Sequence, residues 1–240
     1  MWLKGKFPFT EADESGQPIL VIKDRESKYK RAIMLPAKGV DAYAVKTLAN
    51  DLQRKFGYSG IVLASDQENS IIALQKAVKK EMNGVDIQMK ESQVDEHQAN
   101  SQAESAVRQV QEQVRTMRLA FENRYGLEMK ESDAMWPWMI QEAANLQNRY
   151  QVGTDGKTAY QRLRGRKFDR AIAEFAERVD YLKLASGGRN KADSRWARGI
   201  YVGVNETTNE VIIGTADGIT KARTFRRLAN VSDRWNAEEM

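Results

Sequence analysis

Two carboxylates stand out for the chemistry they could do. Asp66 ends the apolar run Ile61-Val62-Leu63-Ala64-Ser65, and Glu104 heads the polar stripe of a long amphipathic stretch, with thirty-seven residues between them. Each offers hard oxygen ligands suited to a divalent cation such as magnesium. The rest of the catalytic vocabulary is thin. The chain has no cysteine and one histidine, His97. That excludes disulfides, thiolate chemistry and any His/Cys zinc site built within this chain.

The elements that must position the pair follow from periodicity. An apolar run that turns abruptly acidic suits a buried strand of an α/β sheet, and ligand sites of such sheets gather at the carboxyl ends of the strands. Val107, Val110, Val114, Met117 and Phe121 recur at three- and four-residue steps, while Glu104, Arg108, Gln111, Arg115 and Arg118 line another face. This predicts a helix that opens at Glu104. Upstream, Ile19–Ile22 and Tyr29–Pro36 form a hairpin turning through Lys23–Ser27. A helix covers Val40–Phe56, a second is capped by Asn69 and runs to Met82, and Val85–Met89 alternates as a short strand. Glu91–Ser101 reads as a surface loop holding His97. Downstream, Ser132 or Asp133 caps a helix bearing Trp136 and Trp138, and Thr158–Arg164 makes a last short helix. From Arg178 the period changes to four short strands, with Tyr201 and Trp196 as core residues and Asp217-Gly218 as a tight hairpin. The fold class is therefore α/β, followed by a small all-β domain. The boundary divides 1–172 from 173–240.

Composition bounds the partners. Of the 240 residues, 41% are hydrophobic and 30% charged, as in a globular protein. No run approaches a membrane span and no signal-peptide pattern opens the chain. The net charge of +5 is uneven: residues 149–240 hold 18 Lys/Arg against 12 Asp/Glu, a net +6, against −1 for the remainder. A basic surplus confined to one part permits a polyanionic partner, nucleic acid above all.

Four segments carry a resemblance: Ile19-Leu-Val-Ile-Lys-Asp-Arg-Glu-Ser-Lys-Tyr29, Leu63-Ala-Ser-Asp-Gln-Glu68, Gln98-Ala-Asn-Ser-Gln-Ala-Glu104-Ser-Ala-Val107, and Asn148-Arg-Tyr-Gln-Val-Gly-Thr-Asp-Gly-Lys-Thr-Ala-Tyr160. In the order strand hairpin, helix, strand ending in Asp66, helix, strand, loop and long helix, the chain resembles the catalytic core of retroviral and retrotransposon integrases. These are RNase H-like polynucleotidyl transferases of the DDE type. The last segment looks like the copia-type version. The resemblance implies an RNase H-like mixed sheet flanked by helices, then a basic SH3-like β module.

It implies a function as well. Asp66 and Glu104 would be catalytic and metal-binding, holding two Mg2+ or Mn2+ ions for phosphoryl transfer in DNA integration. Ser101 and Gln102 would sit in the loop near the scissile phosphate, and Arg108, Gln111 and Arg115 would meet the DNA end. Arg223, Arg226 and Arg227, with Lys191, Arg195, Arg198 and Lys221, would form a second DNA surface. Partners would be transposon ends and target DNA, with no membrane, in a homo-oligomer acting in the nucleus as part of a Pol polyprotein. The family's first Asp, on its first strand, has no counterpart near Met1-Trp2-Leu3; Asp24 falls in a hairpin turn, and Glu11, Asp13 and Glu14 in a loop. The expectation is a truncated or decayed frame with impaired joining. The alternatives are a catalytically dead DNA-binding or domesticated protein, and a nuclease of the same fold.

Overall fold

The computed structural model describes residues 2–5, 17–65, 68–82, 84–91, 97–184 and 194–237, side chains excepted at 2–5, 91 and 97–100. Its first sheet is mixed. Strands β1 (Trp2–Gly5), β2 (Ile19–Lys23), β3 (Lys30–Met34), β4 (Gly60–Ser65) and β5 (Asp86–Glu91) lie in the order β3-β2-β1-β4-β5. The first three are antiparallel neighbours, whereas β4 runs parallel to both β1 and β5. This is the RNase H-like mixed sheet. Successive residues of β2, Ile19 to Ile22, are all buried, so the sheet is covered on both faces there.

Leu20, Ile22, Ile33, Ile61, Leu63 and Ile87 turn one face toward α1 (Ala42–Asn50) and α2 (Asn69–Glu81). Asp41 caps α1 by accepting from the backbone N–H of Tyr43 and Ala44. The predicted helix to Phe56 continues, but as a π-helical segment, Asp51–Phe56, ended by Gly57 at φ 66°. The start of α2 falls one residue from the expected cap: Glu68 holds the cap position and Asn69 is already helical.

The larger difference is α3, which spans His97–Tyr125. His97, Ser101 and Gln102 are therefore helical instead of lying in a loop, and Glu104 stands about two turns inside the helix. Ala103 and Ala106 are buried and extend the stripe of Val110, Val114, Met117 and Phe121 toward the N-terminus. Alanines among glutamines carry too weak an apolar signal to reveal that stripe by composition. Strand β5 likewise runs on to Glu91, two residues past the expected Met89.

Helix α4 (Trp136–Tyr150) ties the edge of the sheet. Asn148 accepts from the Lys30 N–H at 2.8 Å and donates to the Lys30 carbonyl at 2.7 Å, completing edge strand β3 as one residue of a further strand would. The Lys30 ammonium donates to Gln109 of α3 and to Gln147 and Gln151. Helix α5 (Ala159–Arg164) opens with a capping box between Thr158 and Gln161 and closes at Gly165 in the left-handed region.

The second sheet is antiparallel, ordered β10-β6-β7-β8-β9 from β6 (Arg178–Leu182), β7 (Trp196–Val204), β8 (Val211–Thr215), β9 (Gly218–Ala222) and β10 (Phe225–Arg227). Four short strands are expected in this part and five are present, because the stretch after Asp217 forms both β9 and β10. Strands β9 and β10 sit at opposite edges yet are joined by only Arg223 and Thr224. Two residues span roughly 10 Å at most, so the sheet must curl on itself like a barrel. Its inner face gathers Val179, Tyr201, Val204, Val211, Ile213 and Ala222. The β8–β9 turn uses Ala216-Asp217, with Gly218 as the first strand residue at φ 114°.

By compactness the chain forms two units. One comprises Met1–Gln113 with Ala143–Phe168, the other Val114–Glu142 with Asp169–Met240.

Two outcomes are expected. Asn148→Ala leaves a buried N–H and a buried C=O of Lys30 unpaired and should cost about 3 kcal/mol in urea unfolding. Lys30 is pushed down to about 8 by burial, then by Lys23. Between pH 8 and 10.5 the unfolded chain therefore binds more protons at this site, so stability should rise with pH in that window. Lys30→Met should remove that rise.

Candidate functional site

The carboxyl end of β4 and the second turn of α3 are brought together by two alanines. Ala64 and Ala103, 4% and 5% exposed, form a small buried cluster. With no side chain beyond Cβ on either, helix and strand approach closely. Ser65, fully buried, is the last described residue of β4. Asp66, one position further, lies outside the described residues. Glu104, next to Ala103, is exposed. Parallel pairing sets Leu3 and Glu91 on either side of Ser65, so β1 and β5 reach the same end of the sheet. The place of Glu91 beside Ser65 comes only from strand register, which no local pattern of the sequence reveals.

Along α3 the expected residues do share a face. Ser101, Glu104, Arg108, Gln111 and Arg115 recur at three- and four-residue steps, opposite the buried stripe. Ser101, Glu104, Arg108 and Arg115 are exposed and Gln102 and Gln111 half-buried. The Gln102 Oε1 is buried without a hydrogen-bond partner among the described residues. His97 is the first residue of the helix. Arginines on one exposed helix face suit phosphate contacts, which are salt-dependent and independent of sequence.

For a divalent cation the fit is incomplete. Among the described residues no group of three His, Cys, Asp or Glu could hold an ion. Strand β1 brings Trp2, Leu3, Lys4 and Gly5 alongside β4, with no carboxylate. Asp24 is buried in its turn, accepting from Ser27 and Tyr58. It is occupied as a turn-forming group. Glu11, Asp13 and Glu14 lie outside the described residues.

The arginines of the second sheet divide by partner. Arg226 lies over the Trp196 ring at 4.1 Å, so Trp196 is a half-buried platform instead of the core residue expected; Tyr201 is core. Register sets Asp180 between Arg226 and Arg198, and Arg198 pairs with it at 3.2 Å. Arg195, Lys221 and Arg223 are exposed, and Lys191 lies outside the described residues. Arg227 differs: it grips the wholly buried Glu177 through two hydrogen bonds, 2.6 and 2.7 Å. The Glu177 side chain also accepts from the Glu174 N–H. Its bidentate partner raises the Arg227 pKa, and this guanidinium is committed to the fold.

No family model matches the chain, and no curated protein matches it. Solved structures do. The catalytic core domain of BIV integrase is 17% identical over 68% of this chain and 91% of that one, with a TM-score of 0.46. A chain of the simian T-cell lymphotropic virus intasome in complex with PP2A regulatory subunit B56 gamma is 10% identical over 95% of this chain and 81% of that one, with a TM-score of 0.44. Neither likeness, at these identities and scores, speaks to function.

Arg227→Ala should destabilise the protein by about 2 kcal/mol, because it removes the bidentate partner of a buried carboxylate and leaves it only Arg234 at 3.7 Å and the Glu174 N–H, whereas Arg226→Ala should cost under about 1 kcal/mol. Chemical unfolding of the two variants side by side measures the contrast.

Proposed function

We propose that this chain is an integrase-type, DNA-acting protein of retrotransposon, copia-like kind, with its core in 1–172 and a basic β module in 173–240. The observation that carries the reading is the packing of Ala64 on Ala103, which sets the carboxyl end of β4 beside the turn bearing Glu104. The polar run into Glu104 and the arginine face beyond it support the same reading. On this view Arg108, Gln111 and Arg115 follow a DNA end along α3. Arg223 and Arg226 of the β module, with Lys221, meet phosphates of the same or a second duplex.

Asp66 and Glu104 are the carboxylates this reading assigns to catalysis and to divalent metal. A pair of Mg2+ or Mn2+ ions would supply charge stabilisation for an in-line displacement at phosphorus. Such a pair takes a third carboxylate, and the described part of β1 has none. Joining by this chain is therefore read as impaired. Action as a homo-oligomer on transposon ends and target DNA, in the nucleus, belongs to the same proposal. The lack of an acid in β1 also favours a second reading: a DNA-binding protein of this fold with no transfer chemistry.

The reading is tested by anisotropy with duplex DNA and by a joining assay. DNA binding should be clear at low salt. Alanine at Arg108, Arg115, Arg223 or Arg226 should each reduce the salt slope by about 1. Asp66→Asn and Glu104→Gln should not weaken binding. Absence of low-salt binding would sink the proposal; efficient joining of a donor end with magnesium or manganese would refute the impairment.

A further inference from the structure

The outer face of the second sheet holds a row that runs straight across four strands. Arg178 of β6 pairs with Ile200 of β7, Ile200 with Gly214 of β8, and Gly214 with Ile219 of β9. In-register neighbours share a face, so these residues form one line, with a gap at its centre where Gly214 has no side chain. A Cβ built there would meet nothing nearer than 3.8 Å. The strand could therefore accept a side chain, and the space is left open. Above the row, within the same compact unit, lie Phe121, Met129, Met135 and Trp138. Between the two layers is a cavity of about 650 Å³, within the range of small-molecule sites.

The lining is apolar along its length and cationic at one end. Arg178 is 3% exposed, and its Nη1 donates to the Asp233 carbonyl at 2.9 Å, which fixes the guanidinium in place. Arg198, two residues before Ile200 on β7, also lines the cavity, with its Nε held by Asp180 at 3.2 Å. The carboxylate in the lining, Asp133, already accepts from the Lys130 N–H at 2.7 Å. Two guanidinium groups at one end of an apolar slot complement an anion that carries a flat hydrophobic body.

We infer that this cavity is a binding site for an aromatic carboxylate. The ring lies along the Ile200–Gly214–Ile219 row beneath Trp138 and Met135, and the carboxylate meets the arginine end. The flexible thioethers of Met129 and Met135 adapt to the ring. The inference uses none of the residues on the exposed face of α3 and shares only Arg198 with the second DNA surface.

The probe is naphthalene-2-carboxylate, titrated into the full chain labelled with 13C-methyl methionine. Shifts should centre on Met129 and Met135 among the nine methionines. The neutral naphthalene-2-carboxamide should bind at least about tenfold more weakly, as should the acid to Arg198→Gln, the equivalent of one charge-assisted contact. Gly214→Val should abolish binding with the melting temperature retained. Ile219→Trp, at a position 46% exposed, blocks the slot independently should the valine disturb the strand. No methionine shift at millimolar acid, equal binding of acid and amide, or undiminished binding by both blocking variants would each overturn the inference.

Discussion

The approach of Ala64 to Ala103 is the constraint from which the candidate site follows. A helix can rest this close to the end of a strand only where both surfaces are small, and α3 supplies Ala103 and Ala106 on its buried stripe. Glu104 is exposed because its neighbour is buried, and the three- and four-residue steps then carry Arg108, Gln111 and Arg115 onto the same open face. The tie between α3, α4 and edge strand β3 holds that geometry. Asn148 completes the β3 edge, and Gln147 donates to the Gln109 carbonyl at 2.6 Å while both amides also receive the Lys30 ammonium.

Charge is handled in two ways that composition cannot separate. Arg227 and Arg226 are adjacent in sequence and equal in charge, yet alternation along β10 turns one toward the buried Glu177 and the other onto the Trp196 ring. The first holds the fold; the second, beside the Asp180–Arg198 pair, remains on an exposed basic surface. Arg227 is exposed like Arg223 and Arg226, but it alone of the three is bound to a buried carboxylate. The pairing of Asp24 with Ser27 and Tyr58 makes a similar point. That carboxylate is one of several acids near the N-terminus, and its hydrogen bonds show it closing a turn.

The second sheet owes its shape to connection length. Two residues between strands at opposite edges force the curl, and a bulge at Tyr201/Gly203 bends β7 to match. Gly203, at φ 140°, sits where a Cβ would run into the Glu142 carboxylate. Packing also gathers residues 114–142 with these strands in one compact unit, while the helices that contain them begin or end in the other. A boundary read from a change of period marks where helices give way to strands; it does not mark which helices the strands pack against.

Much of the secondary structure was legible in the sequence because burial leaves period. Strands β2 and β4, helices α2 and α5 and the alternating β module all follow from apolar spacing and cap chemistry. The spacing of Asp66 and Glu104 was legible as a resemblance; of the two, the structure describes Glu104. What sequence could not set was anything decided by contacts between distant segments. The early start of α3 at His97 rests on alanines that count as apolar only once a sheet lies against them. The row of Arg178, Ile200, Gly214 and Ile219 exists only by register across four strands. Which arginine meets the buried Glu177 and which lies on the Trp196 ring depends on the face of β10 each side chain takes. The sequence by itself determined the elements, their order and the positive charge of the C-terminal part, because local periodicity and composition suffice for these. The tertiary structure alone decided which residues face one another, since pairing and register join residues far apart in the chain.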